Sequence, residues 1–141
     1  MNLNRIIEIY EIIKSRIPST YPRPKLAFYE DELSLSQNMR MRLAKDTNLY
    51  AVCDPETNTI IMPLNMTFTY ESNRPGGKEV KKNVPLNKMD DTEVAETMLH
   101  EIAHLYFGQR YGYDSKRYSD EQACDTFARR WVKIMKKERF L

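Results

Sequence analysis

The chain has 141 residues, of which 41% are hydrophobic and 30% charged, with a formal net charge of +2. A chain of this length buries roughly two-thirds of its unfolded surface as one compact domain, here 1–141, without needing disulfides or a partner. The balance of 22 basic and 20 acidic side chains argues against an electrostatic nucleic-acid binder, and no apolar run approaches the ~20 residues of a membrane span.

The amino-terminal segment spaces Leu3, Ile6, Ile7, Tyr10, Ile13 and Ile17 as one helical face, with Arg5, Glu8, Glu11 and Lys14 between them. Pro18 ends this predicted helix, and its charges exclude a signal peptide, so the expected location is intracellular, in the cytoplasm. Pro22 and Pro24 hold the following connection extended, and Leu26–Tyr29 reads as a short strand. Leu35, Met39 and Leu43 suit a short helix within 34–45, although the methionine–arginine alternation also suits a strand. Leu49–Cys53 and Thr59–Met62 are β-rich runs around Asp54-Pro55-Glu56-Thr57-Asn58, which predicts a hairpin. Residues 71–90 hold Pro75-Gly76-Gly77 and a lysine cluster, and read as a long surface loop with solvated charges. Two helices are predicted after it. The first starts at the capping box Asp90/Glu93 and runs to Gly108, a natural stop. The second starts at Ser119, with Gln122 completing a capping box and Ala123, Phe127, Trp131 and Ile134 on its apolar face. Cys53 and Cys124 are too few and too far apart for a disulfide framework and read as buried free thiols.

The chemistry lies in His100-Glu101-Ile102-Ala103-His104, an HExxH motif. Four residues is just over one helical turn, so both imidazoles leave the same face and can bind one metal ion. The chain has two histidines in all, and both stand in this motif. Zinc is the expected metal, one per chain, with Glu101 placed to reach a water held by it. A catalytic zinc usually takes three protein ligands, and with no third histidine the remaining one must be a carboxylate or a thiolate. The start of the last helix supplies candidates: Glu121 as ligand, with Asp120 and then Cys124 as alternatives. Asp125, one turn after Glu121, can accept a hydrogen bond from the other ring nitrogen of a liganding histidine.

With these residues the chain resembles the gluzincin metallopeptidases, in which HExxH on one helix is joined by a glutamate from a following helix. Glu121-Gln122-Ala123-Cys124-Asp125-Thr126-Phe127-Ala128 is similar to the ExxAD-x-FA segment of the CAAX-prenyl-protease class and to the ExxAN-x-FA segment of the ImmA/IrrE class, with Cys124 in place of alanine. Size and element order most resemble the minimal soluble minigluzincins. The resemblance covers roughly residues 91–130 and implies an α+β fold: a small antiparallel sheet packed with an amino-terminal helix, the motif helix and the glutamate helix. It further implies His100, His104 and Glu121 as zinc ligands, Glu101 as general base and Asp125 as support for a histidine.

The expected function is zinc-dependent hydrolysis of peptide bonds in a peptide or protein substrate, with no nucleic-acid or membrane partner. The alternative is a zinc-stabilised binding or regulatory module that cleaves nothing. Strand Thr59–Met62 is expected either to offer an edge to an extended substrate or to serve as an ordinary sheet strand. Tyr106, Tyr111, Tyr113 and Tyr118 are candidates for oxyanion support.

Overall fold

The structure is a computed structural model that describes residues 3–29, 51–71, 79–85 and 88–141. The helix expected within 34–45 lies outside the described residues.

Helix α1, Leu3–Arg16, buries Ile6, Ile9, Tyr10 and Ile13, so the predicted face holds at Ile6, Tyr10, Ile13 and Ile17, whereas Leu3 and Ile7 are exposed and Ile9 is buried in their stead. Its last intrahelical bond runs from the Ile17 N–H to the Ile13 carbonyl (3.0 Å), just before Pro18, which has no N–H to extend it. The carbonyls left at this end are collected by Arg23, whose guanidinium donates to Lys14 O (3.0 Å), Ile17 O (3.1 Å) and Pro18 O (3.2 Å). The Tyr10 hydroxyl donates to the Pro24 carbonyl, tying the helix to the start of the sheet, and burial raises its pKa.

Strands β1 (Lys25–Tyr29), β2 (Val52–Asp54) and β3 (Thr59–Pro63) form one sheet in the order β1-β3-β2. The expected hairpin is present, with β2 antiparallel to β3 and Val52 opposite Ile61. Its turn is set by Asp54, whose carboxylate accepts from the Glu56 N–H (3.1 Å) and the Thr57 hydroxyl (3.0 Å), and by Asn58 in the left-handed region at φ 51°. β1 runs parallel to β3, with Leu26 opposite Ile60, so the sheet is mixed rather than antiparallel as expected. A parallel pairing needs a long crossover, and here the chain from 30 to 51 separates β1 from β2. β3 is therefore the central strand and is buried along its whole length. The alternative in which Thr59–Met62 offers an open edge is excluded, because both of its sides are paired.

A second pair, β4 (Asn65–Glu71) and β5 (Glu79–Pro85), is antiparallel with Phe68 opposite Lys82. This corrects the reading of 71–90 as one long loop: residues 79–85 are a strand. Their two valines among charged and polar residues gave little apolar signal, and the pairing with the alternating run Met66, Phe68, Tyr70 supplies the ladder.

Helix α2, Asp91–Tyr111, is the centre of the molecule and packs against α1, β2, β3 and the last helix. Asp90 caps it as expected, accepting from the Glu93 N–H at 2.8 Å. Arg5 of α1 pairs with Asp91 at 2.7 Å. The helix does not stop at Gly108. It continues to Tyr111 and ends at Gly112, which takes φ 100° and donates its N–H to the Gly108 carbonyl at 2.8 Å.

Helix α3, Glu121–Lys137, starts one residue later than the expected capping box: its N-cap is Asp120, which accepts from the Ala123 N–H at 3.0 Å. Its deepest stripe is also one residue further on, at Cys124, Ala128, Val132 and Met135. Small residues at 124 and 128 sit against α2, while Phe127 and Trp131 lie half-buried at the flank of the core with Tyr21. The core joins α1, the sheet, α2 and α3, and each fully buried Ile or Leu, such as Ile9, Ile60, Leu99 or Ile102, contributes about 1.5–3 kcal/mol. Together the elements form an α+β fold. Among the described residues no helix is long and apolar enough to cross a membrane.

Candidate metal centre

The centre lies where the middle of α2 meets the first turns of α3. His100 and His104, one turn apart on α2, turn their Nε2 atoms toward each other at 3.1 Å. Glu121, the first residue of α3, spans them. Its Oε2 is 2.7 Å from His100 Nε2 and its Oε1 is 3.0 Å from His104 Nε2.

The other ring nitrogens determine what this cluster is. His104 Nδ1 faces the backbone carbonyl of Tyr118, a group that can only accept, so Nδ1 carries a proton and donates it. His100 Nδ1 lies 2.7 Å from Asp125 Oδ1, and an ionised carboxylate likewise only accepts. In their neutral form both rings are thereby fixed as the Nδ1–H tautomer, with a lone pair on each Nε2. The Glu121 carboxylate and the two Nε2 atoms then share positive charge between them, from a metal ion or, without one, from protons on the imidazoles, whose pKa values are raised. The three separations, 2.7, 3.0 and 3.1 Å, are hydrogen-bond distances, shorter than the about 3.3 Å between donors of a tetrahedral zinc shell. Two imidazoles and a carboxylate are nonetheless a donor set that could hold a metal ion.

His100, Glu101 and His104 by themselves also form a group that could hold a metal ion, with ligand atoms within 4.8 Å of one another. Two carboxylates thus stand near the imidazoles. Glu121 is the one in direct contact with both Nε2 atoms, whereas Glu101 is buried at 6% exposure and hydrogen-bonds the Cys53 thiol of β2. That contact makes Glu121 a candidate ligand beside the His100, Glu101 and His104 group.

The electrostatics follow from burial and charge. Burial pushes the Glu101 carboxyl up to about 7, against the opposing pull of His104 and His100. Glu121 is held well below the usual carboxylate range, first by its contact with His100 and then by His104. Burial opposes charging of both imidazoles, yet the surrounding acceptors outweigh it and each pKa is raised.

The structure brings together His100, His104, Glu121 and Asp125, and sets Glu101 beside them. Asp120 Oδ1 is engaged in capping α3, where it accepts from the Ala123 N–H. Cys124 stands three residues from Glu121 and its buried thiol lies within hydrogen-bonding reach of the His104 ring, closer to the centre than its ranking as a remote alternative implies. Both cysteines are buried thiols outside any disulfide, as expected. Of the four candidate tyrosines, Tyr106 packs on Tyr21 and Phe127, Tyr111 accepts from Arg117, and Tyr113 stacks on Tyr118. Tyr118 touches the site, through its ring and its backbone carbonyl. The backbone carbonyl of Tyr118 and the thiol of Cys53 are the contributors that sequence reading does not find, since a backbone acceptor carries no residue signature and Cys53 lies far from the motif in sequence. No family model, no curated protein and no solved structure matches the chain.

Proposed function

We propose that the chain is a zinc-dependent metallopeptidase of gluzincin type. The observation that carries the reading is the contact of Glu121 with both Nε2 atoms, on imidazoles whose tautomers Asp125 and Tyr118 fix from behind. His100, His104 and Glu121 would hold one zinc ion, and Asp125 would keep His100 oriented. Bound zinc supplies Lewis acidity that lowers the pKa of water toward about 7.

Glu101 is the general base in this reading. Beside a bound cation its carboxyl would be ionised, able to accept a proton from the attacking water and return it to the departing amine. An extended substrate would pair with β2, the strand that reaches Glu101 through Cys53, rather than with the enclosed β3. The test is Glu101→Gln assayed against a peptide library. It should keep its zinc and lose nearly all turnover, and undiminished cleavage would remove Glu101 from the mechanism.

One observation favours a second reading. Glu101 is only 6% exposed, which suits a zinc-stabilised binding module that performs no hydrolysis. The same variant separates the two, because a binding function survives Glu101→Gln and a peptidase activity does not.

A further inference from the structure

Gly108 lies on α2 one turn beyond His104, buried and fully inside the helix. Glycine is a poor residue there, since alanine is more favourable in any ordinary helix interior. The neighbours explain it. A Cβ at this position would overlap Cδ1 and Cε1 of the Tyr113 ring and lie 3.0 Å from Tyr118 Cδ2. The chain reverses at Gly112, in a backbone conformation at φ 100° that side chains rarely adopt, and this turn folds Tyr113 back onto the bare backbone of Gly108. From there a series of contacts leads to the centre. Tyr113 packs edge-on against Tyr118 with centroids 5.3 Å apart, and Tyr118 packs edge-on against His104 at 5.8 Å. Ser115 holds the segment closed, accepting from the Tyr118 N–H at 3.2 Å while its hydroxyl donates to the Gly112 carbonyl at 2.6 Å. The Tyr118 carbonyl then accepts the hydrogen bond from the His104 Nδ1–H, and two residues later Asp120 caps the helix that presents Glu121.

We infer that Gly108 is a positioning residue for the metal centre: its absent side chain is the seat for Tyr113 and Tyr118, and through the Tyr118 carbonyl it holds His104 with Nε2 directed at the ion. The inference rests on the metal-binding part of the proposed function and on no assumption about catalysis. It gives a prediction opposite in sign to that of a plain helix position. If Gly108 were only a helical residue, alanine would stabilise α2 and leave metal affinity unchanged or improved.

The experiment is a zinc titration of the full chain in competition with a chromophoric chelator, for the wild type and Gly108→Ala. Histidine 15N–1H spectra of the metal-free proteins report the Nδ1 proton of His104. The expected result is an affinity lower by about 10–100-fold, the range for lost support of a ligand, and loss or displacement of the His104 Nδ1–H signal. Affinity equal to or tighter than wild type, with that signal intact, overturns the inference. Should Gly108→Ala fail to fold by circular dichroism, Tyr113→Ala decides, since it removes the seated ring and leaves the helix untouched. A weaker affinity with a displaced His104 signal supports the seat, and unchanged values overturn it. Should the wild type itself bind no zinc, the metal reading falls. The Nδ1–H signal of the metal-free protein then decides the inference alone, with loss in Gly108→Ala supporting it and retention overturning it.

Discussion

Asp125 Oδ1 lies 2.7 Å from His100 Nδ1, so a residue one turn inside α3 fixes the ring orientation of a residue in the middle of α2. The α2–α3 contact is both core packing and the frame of the candidate metal centre. Removing this partner leaves His100 able to rotate and to take the other tautomer. We expect Asp125→Ala to fold normally and to bind zinc about 10–100-fold more weakly, as measured by chelator competition. Wild-type affinity in that variant would show that His100 is oriented by packing alone.

Glu101 makes the fold pH-dependent in the metal-free protein. Burial raises its carboxyl from 4.5 to about 7, so between these values the folded chain keeps a proton that the unfolded chain releases. The stabilisation is complete below about 4.5 and is lost as pH rises through about 7, an effect of about 3 kcal/mol at 1.36 kcal/mol per unit. Glu101→Gln, which has no proton to release, should show a flatter stability profile from pH 5 to about 6.5 by urea denaturation, above which His100 and His104, whose pKa values are also raised, lose stabilisation in both proteins. Identical slopes for the two proteins would contradict the burial of an ionisable group at this position.

Asp120 and Glu121 are neighbours with different tasks. Asp120→Ala removes the hydrogen bond to the Ala123 N–H and should cost about 1 kcal/mol of stability, read as a lower urea midpoint, while zinc stoichiometry stays the same. Loss of the metal from this variant, with the helix intact, would restore Asp120 as a ligand.

The core position of α2 can be tested independently of any metal. Leu99 is fully buried beside the motif, and Leu99→Ala should destabilise the fold by about 2–5 kcal/mol in thermal or urea unfolding. A loss under 1 kcal/mol would place α2 at the surface rather than at the centre.

What the sequence makes legible here is what is local. His100 and His104 share a face because helical periodicity requires it, and Glu121 and Asp125 do so for the same reason on the next helix. Their convergence was inferable from chemistry, since two isolated imidazoles need a third donor and the first acidic residues of α3 are the nearest supply. The parallel pairing of β1 with β3 depends on contacts between residues more than thirty positions apart and has no local signature. β5 was hidden by Lys81 and Lys82, which lower the apolar signal of a strand whose partner carries the alternation. Gly108 was read as a helix stop because glycine commonly ends helices. Its actual reason is steric, the ring of Tyr113 against the backbone, and only the tertiary structure reveals it.

The most direct measurement is the metal content of the purified, untagged chain by elemental analysis, beside Glu121→Ala prepared identically. The two-helix centre predicts about one zinc per chain in the wild type and its loss, or a greatly weakened hold on it, in the variant. A wild type that retains no zinc after zinc is offered and the excess removed would contradict the account, as would an undiminished zinc content in Glu121→Ala.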